Sequence, residues 1–246
     1  MKYFIITGTS RGLGEAMAFK LISPEHQLIC ISRTKNNDLI AASSHLDYYE
    51  FDLQNVNQIE ALMEQVFQKI NLTNADGVYL INNAAIISPF SRIEQANSQD
   101  LMDNLHVNLL APIVLTSSFI RLTQHLPLEK RILNISSASA KQLLPGMSAY
   151  SAAKAGLDAF SSCVGLEQGV ESAAVKIVSV YPGMVDTSLQ EQARNTSNEA
   201  LTTPDIFKMV KDRGMLASPA ATADKLISFL LGHSFHQGAV VEDLFL

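Results

Sequence analysis

Apolar residues fall in two alternating rhythms along this chain. Short apolar runs bounded by Gly, Asp or Asn alternate with longer stretches in which apolar positions recur every three or four residues. The short runs read as strands buried on both faces, as in a parallel sheet, and the longer stretches as helices with one apolar stripe. On that basis strands are expected at residues 3–7, 27–32, 47–51, 78–81, 131–135, 175–181 and 238–241. Helices are expected at 15–22, 56–70, 98–126, 150–168 and 220–231, with Pro112 kinking or dividing the third of these. Residues 188–216 are polar with weak periodicity, which suits a mobile lid over a pocket. Seven strands alternating with helices, with no linker or repeat between them, predict one α/β domain over residues 1–246. Its sheet would be parallel, seven-stranded and doubly wound, with helices on both faces. Ligands of such sheets bind beyond the carboxyl ends of the strands. Gly8, Arg33, Asp52, Asn82, Ser137 and Pro182 all fall at such ends.

Composition narrows the choices. Hydrophobic residues make up 47% of the 246 and charged residues 17%, enough for a sizeable core. The net charge of −6, with no Lys/Arg-rich block, argues against a nucleic-acid surface. Cys30 and Cys163 lie in apolar surroundings and read as buried thiols of a reducing compartment, too few for a zinc cluster, so no metal is expected. The N-terminal apolar run is short and ends in a glycine turn, unlike a signal peptide. No stretch reads as the roughly 18 apolar residues of a membrane span, so a cytoplasmic protein without membrane contact is expected.

Candidate chemistry centres on Tyr150 and Lys154, which share a helix face one turn apart. A lysine ammonium close to a phenol favours the phenolate and should lower its pKa from about 10. A phenol so tuned can exchange a proton at a carbon–oxygen centre. Ser137 closes the strand before it, and its hydroxyl could hold the oxygen on which Tyr150 acts. At the chain's start, Thr7, Gly8, Thr9, Ser10, Arg11, Gly12, Leu13 and Gly14 lie between a strand and a helix. Gly8 permits the tight turn, Gly12 lets backbone approach a pyrophosphate, and Gly14 lets the helix pack close. After the second strand, where a carboxylate would hold a ribose 2′-hydroxyl, the chain has Arg33. With Arg11 it offers guanidinium groups to a 2′-phosphate, which points to NADP; the plainer reading is an arginine at an exposed strand end. Asp52, with the Leu53 N–H beside it, could accept the adenine amino group or cap a helix. Asn82 and Asn83 could hold strand ends together, with Ala84 and Ala85 leaving room for a cofactor, or simply form a turn. Asn108, polar among apolar neighbours, is either a structural asparagine or the site of a helix break that frees a carbonyl for a water near Lys154.

These pieces together resemble the short-chain dehydrogenase/reductase family over the full length. The matching motifs are Thr-Gly-x-x-x-Gly-x-Gly at 7–14, Asp52-Leu53, Asn82 to Ala85, Asn108, Ser137, Tyr150-x-x-x-Lys154 and Pro182-Gly183. The resemblance implies a Rossmann fold binding NADP(H), with Tyr150 as general acid and Lys154 lowering its pKa and holding the nicotinamide ribose. It also implies that Ser137 orients the substrate carbonyl and Asn108 holds a water of a proton relay. The cofactor would lie along Gly8, Ser10, Arg11, Gly12, Leu13 and Gly14, then Arg33, Asp52 and Leu53. Beyond these it would meet Asn83 and Ala84, Tyr150 and Lys154, and finally Pro182 and Gly183, with Val185 and Thr187 at the carboxamide. Ala85 stands where the family usually has glycine. Within the family the chain is similar to benzoin-forming benzil reductases and sepiapterin reductases, on cues that include Ile31 to Lys35, Ser148 to Asp158 and the Asp243-Leu-Phe-Leu ending. The implied activity is NADPH-dependent reduction of a ketone or diketone. The alternatives are a 3-oxoacyl-thioester reductase and a non-catalytic dinucleotide sensor. Residues 88–95, 139–147 and 184–215 are expected to wall the pocket. A homo-oligomer, dimer or tetramer, could pair helices 101–126 and 150–168, whose small residues also suit internal packing.

Overall fold

The computed structural model describes residues 1–195 and 206–244. Its strands are β1 (Lys2–Thr7), β2 (His26–Ser32), β3 (Leu46–Glu50), β4 (Gly77–Asn82), β5 (Glu129–Ile135), β6 (Lys176–Val180) and β7 (Val240–Val241). All pair in parallel, in the order β3-β2-β1-β4-β5-β6-β7. The chain begins in the middle of the sheet, steps out to β3, then crosses back over β1 to β4 and runs to the other edge. That reversal leaves a crevice above the carboxyl ends of β1 and β4.

Alternation along the strands divides the core in two. Ile5, Ile29, Leu80, Ile132 and Ile177 face one layer, while Phe4, Cys30, Tyr79, Leu133 and Val178 face the other. The first layer is covered by α3 (Ile59–Lys69), α5 (Ala111–Thr123) and α6 (Ser148–Gln168), the second by α1 (Gly12–Leu21) and α9 (Pro219–Leu231). Helix α3 shows why: Ile59, Leu62, Met63, Val66 and Phe67 form one buried stripe at helical spacing. Each such side chain withdrawn from water stabilises the fold by about 1.5–3 kcal/mol.

The fold departs from the sequence expectation in several places. A short helix α2 (Asn37–Ala42) follows β2, capped by the Asn36 side chain, which accepts from the Leu39 N–H. Its single buried residue, Leu39, leaves no periodicity to read. The expected helix 98–126 is three pieces: α4 (Ser98–Leu105), a π-helical turn (His106–Leu110) and α5. Pro112 sits in the first turn of α5, where a missing N–H is tolerated, so the disruption falls one turn earlier. By length and composition alone the run Ser98–Thr123 could cross a membrane, contrary to the expectation that no stretch would. Here its buried face carries Ala111, Leu115 and Phe119 into the core. Helix α6 begins at Ser148, two residues before Tyr150. The weakly periodic stretch read as a mobile lid contains helices α7 (Ser188–Arg194) and α8 (Ile206–Asp212), while its residues 196–205 lie outside those described. The last strand keeps only Val240 and Val241. Cys30 is buried as expected but Cys163 is exposed, because it falls on the outer face of α6.

Candidate active site

Above the crevice lies a cleft of about 430 Å³. The candidate catalytic and cofactor-binding residues line it except Asn108, which sits behind its wall; Asn82, at the end of β4, does not line it either. Three layers of backbone and side chain build it.

The first is the glycine loop. Gly8 has φ +75°, and a Cβ there would stand 2.8 Å from the Ala84 Cα, so only glycine fits the turn between β1 and the end of β4. Gly12, at φ +66°, has only the Thr187 methyl near its open side, at 3.5 Å, so bare backbone faces the cleft. Helix α1 starts there with Arg11 at its cap position and no side-chain capping bond. Its first-turn N–H groups are therefore left for a ligand, and their partial positive charge suits a phosphate. Asn83 donates to the Thr7 and Gly8 carbonyls at 3.0 and 3.3 Å, while Thr7 Oγ1 accepts from the Asn83 and Ala84 N–H groups. Asn82 donates to Asn134 Oδ1 at 2.8 Å, tying β4 to β5. The asparagines thus join strand ends rather than merely turning the chain.

The second is the end of β2. Arg11 and Arg33 are exposed on the rim and, among the described residues, neither pairs with an acid. Lys35 is held instead by Glu50 at 3.2 Å. Two residues that the sequence reading passed over shape this end. Tyr48 on β3 shares a 2.5 Å hydrogen bond with the Ser32 hydroxyl and donates to the Thr34 carbonyl at 3.1 Å. Buried Asn36 donates to Glu15 at 2.6 Å and to the Ser10 carbonyl at 3.2 Å, binding the loop after β2 to the glycine loop. Asn before a helix is a capping signal, which could have drawn attention to it. Asp52 caps no helix; its Oδ1 accepts from the Gln54 N–H at 3.0 Å in a local turn, and Leu53 is buried in the core beside it.

The third is the floor. Ser137, just past β5, accepts from the Ser139 N–H at 3.1 Å, so its own hydrogen remains to be donated. Tyr150 and Lys154 are both buried on one face of α6. The lysine does not sit at the phenol oxygen. Its ammonium lies over the ring face, 5.7 Å from the centroid, and donates to the Ile135 carbonyl at 2.8 Å. Burial pushes the Tyr150 phenol up to about 12, with the Ser137 hydroxyl pulling the other way. The expectation of a phenol acidified by Lys154 is therefore not met in the ligand-free molecule: desolvation outweighs a cation aimed elsewhere. Lys154 itself is pushed down to about 8 by the same burial, opposed by the charge of Asp158.

Asn108 lies in the π turn. Its amide is fully used: it accepts from the Ile86 N–H at 3.0 Å and donates to the Ile86 carbonyl at 2.7 Å. Its backbone carbonyl cannot receive an α-helical bond, because the donor four residues on would be Pro112. Asn104, fully buried one turn earlier, accepts from Asn108 at 2.9 Å and donates to the Ser88 carbonyl at 2.5 Å. The two asparagines clip residues 86–88 to the helix.

Apolar side chains surround the phenol: Ile87, Met147 and Ala193 pack with Tyr150, backed by Phe90, Leu144, Leu189 and Phe207. Of the expected walls, Ser139, Gln142, Leu144 and Met147 line the cleft, as do several described residues between 184 and 207, whereas 208–215 do not. Nor do 88–95: Ile86 and Ile87 line it instead, and Phe90 packs against the Tyr150 cluster. Val185 pairs with Ala217 as an isolated bridge, and Thr187 caps α7 by accepting from the Gln190 N–H at 3.4 Å. Asp186 between them is held by Arg194 of α7 and Lys211 of α8, which fixes both helices over the cleft mouth.

Comparison with known proteins agrees with this geometry. The short chain dehydrogenase family model matches residues 2–198. Benzil reductase ((S)-benzoin forming) of Bacillus cereus is 39% identical over 245 residues, covering 98% of each chain. Sepiapterin reductase of Mus musculus is 28% identical over 252 residues, covering 97% of this chain and 95% of that one. The crystal structure of the KRED1-Pglu enzyme has the same fold, with a TM-score of 0.84 at 22% identity, covering 98% of this chain and all of that one. The chain belongs to the short-chain dehydrogenase family.

Proposed function

We propose that the protein is an NADPH-dependent carbonyl reductase in which Tyr150 supplies the proton. The family uses a nicotinamide dinucleotide, and the residues present fit one. The bare backbone at Gly12, the uncapped start of α1 and the continuous cleft from Arg33 to Tyr150 suit its length and its phosphates. Arg11 and Arg33 would hold a 2′-phosphate, and no carboxylate stands at the end of β2 to favour the unphosphorylated ribose. When bound, the cofactor supplies the hydride that reduces the carbonyl carbon.

The protein's own groups do the rest. Ser137 and Tyr150 donate to the substrate oxygen as negative charge grows on it, and Tyr150 then gives up its proton. A phenol held well above its ordinary pKa stays protonated at neutral pH, which is the form a donor needs. Lys154 would hold the cofactor ribose. The Asn108 carbonyl, without an α-helical donor, can hold a water that returns the proton. The lid helices α7 and α8 exclude bulk water.

The observation that carries this reading is the convergence of Ser137, Tyr150 and Lys154 in one cleft with the glycine loop. The apolar collar around Tyr150 favours an uncharged ketone with flat or branched apolar flanks. The Bacillus cereus relative is named for reducing benzil, a substrate of that kind. The free cysteines fit a cytoplasmic setting. The test is NADPH oxidation with benzil, simple aryl ketones and a 3-oxoacyl thioester. Turnover with the diketone above the thioester is expected. The reverse order would favour the thioester reductase, and no turnover with any of them would favour a sensor.

A further inference from the structure

Asp158 is the residue the reaction scheme leaves unused. It stands one turn beyond Lys154, so Tyr150, Lys154 and Asp158 form a ladder at four-residue spacing on one face of α6. Carboxylates are seldom buried without partners, yet Asp158 is 8% exposed. Its oxygens accept from two hydroxyls, Ser179 of β6 at 2.5 Å and Tyr181 just past that strand at 2.7 Å. Tyr181 leads directly into Pro182 and Gly183 on the cleft wall.

We propose that Asp158 is a positioning residue for the reaction: its carboxylate braces the Tyr150–Lys154 helix against the end of β6 and sets a buried acidic group one turn from Lys154. This rests on the carbonyl-reductase reading of the site. Among the described residues the carboxylate's partners are these two hydroxyl donors, and it stands one turn from the buried Lys154 amine. Its charge opposes the loss of the Lys154 proton that burial favours. Lys176 stands at the far start of β6, away from Ser179, and Asp100 of α4 is held by Asn97. Asp103 of α4 is bonded by Gln99, and Arg121 of α5 pairs with Glu60. Lys141 pairs with Glu242, which acts on Tyr181 from beyond β7. Lys130 and Arg131 sit at the far start of β5, on the Leu126, Leu230 and Gly232 carbonyls. His106 in the π turn makes no hydrogen bond or ion pair with either residue. Cys163 lies outward on α6. Without Asp158, Lys154 would lose its proton nearer neutral pH and with it the charge that holds the ribose.

The test is a side-chain NMR titration of the Lys154 amine in the ligand-free protein, alongside the pH profile of kcat/KM. In the wild type the amine should titrate near 8. In Asp158→Asn the midpoint should fall by about one pH unit, and the alkaline limb of kcat/KM should move down with it. Activity well below the limb should stay within about threefold, since Asn keeps the shape. A midpoint at or above the wild-type value would overturn the proposal. Should Asp158→Asn not fold, Tyr181→Phe serves: it removes one donor and leaves the charge, so the Lys154 midpoint must not fall, and a fall overturns the proposal. Absence of turnover in the wild type would remove the reductase reading and leave the titration result standing.

Discussion

Lys154 donates to the Ile135 carbonyl at 2.8 Å and meets Tyr150 only across its ring face. The two residues that define the site are therefore neighbours without a shared hydrogen bond in the ligand-free molecule. On the proposed reading, the cofactor ribose that Lys154 would hold is what would bring the ammonium's influence to the phenol oxygen.

This has a titration consequence. Burial raises the Tyr150 phenol from 10.0 to about 12. Between those values an unfolded chain ionises its tyrosine while the folded one keeps it neutral, so this residue stabilises the fold fully below pH 10 and progressively less as pH rises to about 12. The ultraviolet titration difference between wild type and Tyr150→Phe should show a ligand-free midpoint near 12 that moves down when NADP is added. A ligand-free midpoint below 10 would contradict the burial argument.

Arg33 should set the choice of cofactor. Arg33→Asp places a carboxylate where a 2′-phosphate would bind and a 2′-hydroxyl could donate. The ratio of kcat/KM for NADPH over NADH should fall by about tenfold or more, mostly through KM for NADPH. An unchanged ratio would take Arg33 out of the phosphate site.

Much of this architecture was legible in the chain because its signals are local. The strands are short apolar runs, and Gly8, Gly12, Ser137, Tyr150 and Lys154 sit at strand ends or on a helix face that spacing alone locates. What was not legible depends on contacts far apart in sequence or on weak patterns. Helix α2 rests on one cap and one buried leucine. The ordering of Tyr48 over Ser32, and of Asn36 against Glu15, needs the packed sheet. The lowered phenol pKa read from the Tyr-x-x-x-Lys spacing failed because spacing gives a shared face but neither burial nor the aim of the ammonium. Cys163 shows the same limit, since an apolar neighbourhood in sequence does not say which face of α6 a residue takes.

Asn104 should matter for stability as well as turnover. Asn104→Ala leaves the Ser88 carbonyl and one of the two Asn108 amide hydrogens without a buried partner, at a cost of about 1–3 kcal/mol. Denaturant unfolding should show that loss. The KM for the ketone should rise more than that for NADPH, because Ile86 and Ile87, which Asn104 helps to hold, line the cleft beside Tyr150. Unchanged stability would mean that a water replaces the amide.

Gly14 tests the glycine loop. A Cβ there would collide with the Gly8 carbonyl oxygen and the Asn83 amide. Gly14→Ala should cost about 1–3 kcal/mol and raise KM for NADPH, because the loop must move away from β4. Normal stability and NADPH affinity in that variant would show that the loop has slack.

Tyr150→Phe tests the proton-transfer role most directly. The ring and its packing against Ile87 and Met147 remain, and only the donor is lost. NADPH binding, followed by fluorescence, should stay within about threefold of wild type, while kcat for ketone reduction falls by about 10²–10⁴. Near-wild-type turnover with intact cofactor binding would contradict Tyr150 as the proton donor.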